Sequence, residues 1–122
     1  MAQADALKQR IVQELVPGKQ ITLAHLIANP DESLSIRIGL TSQAGPGKSA
    51  IGVLTVTPAE TAIILADIAL KTAAVSLGHM DCHENGSLIL TGMVSEVEAA
   101  LLAILRYAAE TLHYEACGIT KT

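Results

Sequence analysis

The run AIGVLTVT at residues 50–57, followed at once by PAETAIILADIALKTA at 58–73, constrains this chain more than any other stretch. Branched apolar residues make its first half a strand. Between the two halves, Thr57-Pro58-Ala59-Glu60 has the form of a capping box with proline at the first helical position, which predicts a helix over 58–73. A strand joined this closely to a helix belongs to a sheet with helices packed against it.

The rest of the chain repeats that grammar. QITLAHLIA at 20–28 follows the turn pair Pro17-Gly18 and reads as a strand with Ile21, Leu23, His25 and Ile27 on one face. Asn29 is positioned to cap a short helix over 30–38, with Pro30 at its first position, Glu32 three residues after the cap and Gly39 as a left-handed stop. AVSLGHMD and SLILTGM, joined across CHENG at 82–86, read as a hairpin with Asn85-Gly86 in its turn. Ser95 and Glu98 form a second capping box, after which Val97, Leu101, Ile104, Leu105, Ala108 and Leu112 recur at helical spacing. A short extended piece ends the chain. The order of elements fits an α+β sheet with helices on one face. The first sixteen residues stay open: Leu7, Ile11 and Leu15 fit a helical stripe, yet ahead of Pro17 the segment equally suits an extended arm.

Composition narrows the function classes. With 122 residues the chain is one domain, and with no Phe, no Trp and two Tyr its core must be built from Ile, Leu, Val and many Ala. A mean hydropathy of +0.42 is high for a monomer of this size and points to apolar surface buried between subunits. No apolar stretch approaches the roughly 20 residues that span a bilayer, and MAQADALKQRIVQELV lacks the apolar centre of a secretory signal. A cytosolic protein with free thiols at Cys82 and Cys117 is expected. The formal charge of -4, without a Lys/Arg cluster, argues against nucleic acid as a partner.

The motifs that resemble chemistry are mostly local structure. AGPGKSA at 44–50 ends like a phosphate-binding loop, but Ser42 stands where the loop's first glycine belongs and a strand follows in place of a helix. Cys82, His83, Glu84 and His79 are metal-ligand types without a metal-ligand spacing, so a single copy builds no site. His25 is expected to be packed and hydrogen-bonded, and His113 to complement a helix C-terminus. The acid pairs Asp31/Glu32 and Glu96/Glu98 sit in first helical turns, where negative charge stabilises exposed N–H groups. No nucleophile-base pair and no cofactor fingerprint is recognisable, so neither catalysis nor a cofactor is expected.

VPGKQITLAHLIANP at 16–30, with AIGVLTVTPAETAIILADIALKTA at 50–73, resembles the circularly permuted shell proteins of bacterial microcompartments, and the resemblance runs from about Arg10 to the final GITKT. It implies a permuted microcompartment (BMC) domain over 17–122, a ferredoxin-like α+β sheet with helices on one face and its last strand moved to the front. It also implies a homohexamer that tiles with other shell proteins around encapsulated enzymes in the bacterial cytoplasm. Residues 1–16, with Gln9, Ile11, Gln13 and Leu15, would be an extended arm joining five others in a β-barrel over the sixfold axis. Asp67 and Lys71 match the family position at the hexamer edge, where a long aliphatic stem lies along a flat contact. Asp81, Cys82, His83, Glu84, Asn85 and Gly86 would form a hairpin near the central opening, where six Cys82/His83 pairs could supply metal ligands in trans. This hairpin departs from the family's Asp-Arg-Phe-x-Gly turn, losing the arginine and the aromatic and gaining a residue. The rival reading is a small-molecule-binding regulatory α+β module. The enclosed pathway, propanediol, ethanolamine or glycyl-radical, is not specified by these residues.

Overall fold

Strand β1 (Gln20–Ala28) pairs antiparallel with β2 (Ala50–Thr57), from Gln20 opposite Thr57 to Ala28 opposite Ala50. The computed structural model describes residues 18–37 and 50–122. The expected arm, the Gly39 stop and the AGPGKS loop lie outside the described residues. Beyond β2 the sheet continues through β4 (Gly86–Gly92) to β3 (Val75–Asp81), both antiparallel to their neighbours. On the other side of β1 run two short tail strands parallel to it, β5 (Glu115–Ala116) and β6 (Thr120–Lys121). The order is therefore β3-β4-β2-β1-β5, with β6 also on β1. Helix α1 (Glu32–Arg37) follows β1, while α2 (Thr61–Thr72) and α3 (Val94–Glu110) pack on each other and on the sheet. This is the expected α+β architecture.

The expected face of β1 is corrected. Its register slips at Thr22, with Ile21 opposite Val56 and Leu23 opposite Thr55. Strand side chains alternate with a period of two, so one extra residue exchanges the faces. Ile21, Ala24 and Leu26 therefore enter the core, while Leu23 and His25 turn away from it. Thr22 Oγ1 lies 2.5 Å from Thr55 Oγ1 at the bulge. A second slip between Leu77 and His79 puts Leu77 opposite Leu90 and His79 opposite Ile89.

The core is aliphatic and fine-grained. Ala62, Leu65, Ala66 and Ala69 of α2 and Val97, Ala100, Leu101, Ile104 and Ala108 of α3 meet Leu54, Val56, Leu88 and Leu90 of the sheet. Each buried Leu or Ile contributes about 1.5–3 kcal/mol, and the alanines let the helices approach closely. Gly52 shows how closely: a Cβ there would lie 2.7 Å from Val97 Cγ1. Of the stripe expected on α3, Leu105 is only partly buried, and Leu112 lies beyond the helix end.

The helix ends differ most from expectation. α1 begins at Glu32, and Asp31 rather than Asn29 caps it, its Oδ1 accepting from the Ser33 N–H at 2.9 Å and from Ser33 Oγ at 2.6 Å. Asn29 instead has a positive φ of 53°. α2 starts at Thr61 without a side-chain cap, because Thr61, Ala62 and Ile63 donate to the carbonyls of Pro58, Ala59 and Glu60 in tight turns ahead of the helix. In α3 the Ser95/Glu98 box is not formed; Met93 precedes the helix and its carbonyl accepts from Val97 N–H. Glu96 accepts from Ala74 N–H at 2.8 Å, and Glu98 pairs with Lys121 at 2.7 Å. Both carboxylates serve partners distant in sequence, which local spacing cannot reveal. His113 takes a positive φ of 60° after α3, and Tyr114 N–H reaches back to Ala108 O. The hairpin turn is also corrected: Gly86 is the first residue of β4, opposite Val56.

Candidate assembly surfaces

Helix α2 is apolar nearly all round. Leu65, Ala66 and Ala69 face the core, yet Ile63, Ile64 and Leu70 on the opposite side are 52%, 44% and 47% exposed. Large apolar side chains on the side turned away from the core are ordinarily covered by a neighbour. Asp67 and Lys71 lie on this outer surface, one turn apart, with Lys71 Nζ 2.9 Å from Asp67 Oδ2. The acid precedes the base, the favourable order for such a pair, and at this exposure the bridge is worth a few tenths of a kcal/mol. It orients the lysine without committing it. Ile64 shares the Asp67/Lys71 stripe by helical spacing, so the two residues expected at a hexamer edge border a larger apolar surface. Sequence reasoning passed over Ile63, Ile64 and Leu70, although the near-continuous apolar run TAIILADIAL carried the signal.

The β3–β4 hairpin tip is built around one carboxylate. Asp81 Oδ1 accepts from His83 N–H at 3.0 Å, and the Glu84 and Asn85 N–H groups also support it. These backbone donors, that of His83 foremost, hold the Asp81 carboxyl below the usual range. His83, Glu84 and Asn85 are exposed, Cys82 is half-buried with a free thiol, and Gly86 is buried against β2. Among the described residues, no three His, Cys, Asp or Glu side chains converge as a metal site, and the Asp81 carboxylate is occupied by its own turn.

His25 is hydrogen-bonded as expected, but on the face away from the core. Its Nδ1 lies 2.6 Å from Thr120 Oγ1 and its Nε2 2.9 Å from Thr122 Oγ1. Nothing in the local pattern of either segment forecasts this meeting, which depends on the tail lying along β1. At the other end of the tail, Tyr114 Oη sits 2.5 Å from the hydroxyl of buried Thr61, and Lys19 Nζ stands 5.8 Å from the Tyr114 ring centre. Among the described residues, no helix is long and apolar enough to cross a membrane.

A family model for the BMC domain matches residues 50–119. The bacterial microcompartment shell protein PduU of Salmonella typhimurium is 49% identical over 113 residues, covering 93% of each chain. The shell protein EutS of Escherichia coli is 47% identical over 115 residues, covering 94% of this chain and 98% of its own. Among solved structures, a CutR flat hexamer superposes with a TM-score of 0.79 at 42% identity, covering 94% of this chain and 93% of that one. CutR is also solved as a dimer with a domain swap, with a TM-score of 0.61 at 40% identity over 86% of this chain and 100% of that one. These relatives do not favour the reading as a ligand-binding regulatory module. With an apolar-faced helix on an α+β sheet, a family model over more than half its length and near-full-length kinship to PduU and EutS, the chain belongs to the BMC domain family of bacterial microcompartment shell proteins.

Proposed function

We propose that this chain is a structural, non-catalytic subunit of a microcompartment shell in the bacterial cytoplasm, assembling as a homohexamer that tiles with other shell proteins. The observation that carries the reading is the outer face of α2, where Ile63, Ile64 and Leu70 flank the Asp67–Lys71 pair. Exposed apolar side chains on a helix that already buries its other side ask for a protein neighbour. Similarity to a relative solved as a flat hexamer supports sixfold closure.

The circular permutation is supported by where β1 lies. The family model begins at β2, yet β1 precedes it in sequence and sits inside the sheet beside β2. Residues 17–122 are read as the permuted domain and 1–16 as an arm whose six copies cover the central opening. The Asp81–Gly86 hairpin is assigned to the neighbourhood of that opening and the outer face of α2 to the hexamer edge. Tiling then makes a layer, and a covered axis keeps flux through this subunit low. Encapsulated enzymes are further partners of such a layer.

Native mass spectrometry of the purified chain, with electron microscopy of its assemblies, tests this. A hexamer that forms extended layers, with Lys71→Ala retaining the hexamer and losing the layers, is the expected result. A wild-type monomer would overturn the shell reading, and undiminished layers in Lys71→Ala would overturn the edge assignment alone.

A further inference from the structure

Strand β1 and the last residues of the chain meet at one imidazole. β6 pairs with β1 only at His25–Thr120 and Leu26–Lys121, and β5 only at Gln20–Glu115 and Ile21–Ala116. Ladders this short hold a strand weakly. Around the β6 ladder, however, polar contacts accumulate. Thr122 N–H donates to Leu26 O at 2.9 Å, Ala28 N–H donates to Thr122 O at 3.1 Å, and Lys121 Nζ reaches Glu98 Oε2 on α3 at 2.7 Å. The imidazole completes the set. Whichever ring nitrogen of His25 carries the proton donates to its threonine hydroxyl, and the other accepts from the second hydroxyl.

We propose that His25 with Thr120 and Thr122, supported by Glu98 with Lys121, is a latch that keeps the tail on the edge of β1. An opened latch lets that edge pair with a second copy of this chain in place of its own tail. The latch thereby selects between the ring and a strand-paired dimer. This rests on the hexameric reading above.

Three features argue for a device of this kind and for a second copy as the occupant. The latch covers the His25–Ala28 end of β1, and that edge, once uncovered, presents backbone donors and acceptors that template further pairing. Its two-fold pairing with an identical edge is self-complementary, so no other partner is needed. Finally, the swapped dimer known for CutR is a case of a fold similar to this one joining two copies outside a ring. The latch contacts, confined to Thr120, Lys121 and Thr122, are exposed and individually weak, which allows this end of the tail to release while Ala116, Cys117 and Ile119 stay packed against the core.

The test is the full chain carrying Thr120→Val and Thr122→Val, which keeps side-chain shape and removes both hydroxyls, beside a second variant, Lys121→Gln. Amide exchange at Ala28 and Thr122 reports the tail, native mass spectrometry reports the assembly, and circular dichroism confirms the fold. The expected result for the double valine variant is about tenfold less protection at both amides, with dimer gained at the expense of hexamer. Lys121→Gln shifts both readouts the same way, less far. Protection lost with the wild-type distribution unchanged would overturn the proposal, as would unchanged protection. A wild type without hexamers would overturn the shell reading on its own account; more dimer in the valine variant than in that wild type would still support the latch.

Discussion

Gly86→Ala is the substitution to which this fold is expected to be most sensitive for its size. A Cβ at Gly86 would lie 2.1 Å from the carbonyl oxygen of Val56 and 2.9 Å from Ala59 Cα. Both are backbone atoms, so no rotamer change relieves the clash. Restoring an ordinary contact of 3.4 Å requires β4 to separate from β2 where the two strands pair, and where the chain turns from β2 toward α2. Overpacking costs about 1–3 kcal/mol, and a disrupted ladder bond adds about 1 kcal/mol, so a loss of about 2–4 kcal/mol is expected. For a domain of this size that corresponds to a fall of roughly 8–16 °C in Tm. Gly118→Ala is the control: nothing lies within 4 Å of its added Cβ, and its backbone does not need glycine. It should be neutral or stabilising by up to about 1 kcal/mol through the unfolded state. Urea and thermal unfolding at one matched protein concentration read both variants, since assembly itself shifts apparent stability. A Gly86→Ala loss below about 1 kcal/mol, or a Gly118→Ala loss equal to it, would refute the reasoning.

Two further predictions concern single polar groups. Tyr114→Phe leaves the buried Thr61 hydroxyl without its partner and should cost about 0.5–1.5 kcal/mol in urea unfolding, with Thr61→Val in the same background adding little. The Asp81 carboxyl is held low by backbone donors, so its stabilising effect is present above the unfolded value of about 3.9 and is lost as pH falls through the lower folded value. NMR titration should therefore place its midpoint below that of an ordinary aspartate, and Asp81→Asn should abolish the acid-induced loosening of the hairpin; a midpoint at or above the ordinary value would contradict the assigned turn.

Strands and long helices were legible because their signals are periodic and local. The spacing of AIGVLTVT and of Val97, Leu101, Ile104 and Ala108 reports burial directly, and β2 and the α3 core stripe appear where those patterns put them. Caps were not legible. Ser95/Glu98 satisfies a capping box on paper, but Glu98 has Lys121 within reach and Glu96 has the Ala74 N–H. A carboxylate chooses among all donors that the fold brings near, and those donors lie far away in sequence.

The edge role expected of Asp67 and Lys71 comes from a resemblance, whereas the apolar surface around them is visible only because the opposite side of α2 is filled by its own core. The core face of β1 depended on the Thr22 bulge, a single-residue slip that an alternating pattern cannot announce. By itself, the sequence determined the class of fold, the aliphatic composition of the core and the kinship to shell proteins, because periodicity, residue size and motif are properties of neighbouring positions. Tertiary structure alone decided which face of β1 is buried, which apolar residues of α2 stay exposed, and that His25 meets Thr120 and Thr122. Each of these depends on atoms brought together across most of the chain, and such distances exist only once the sheet has closed.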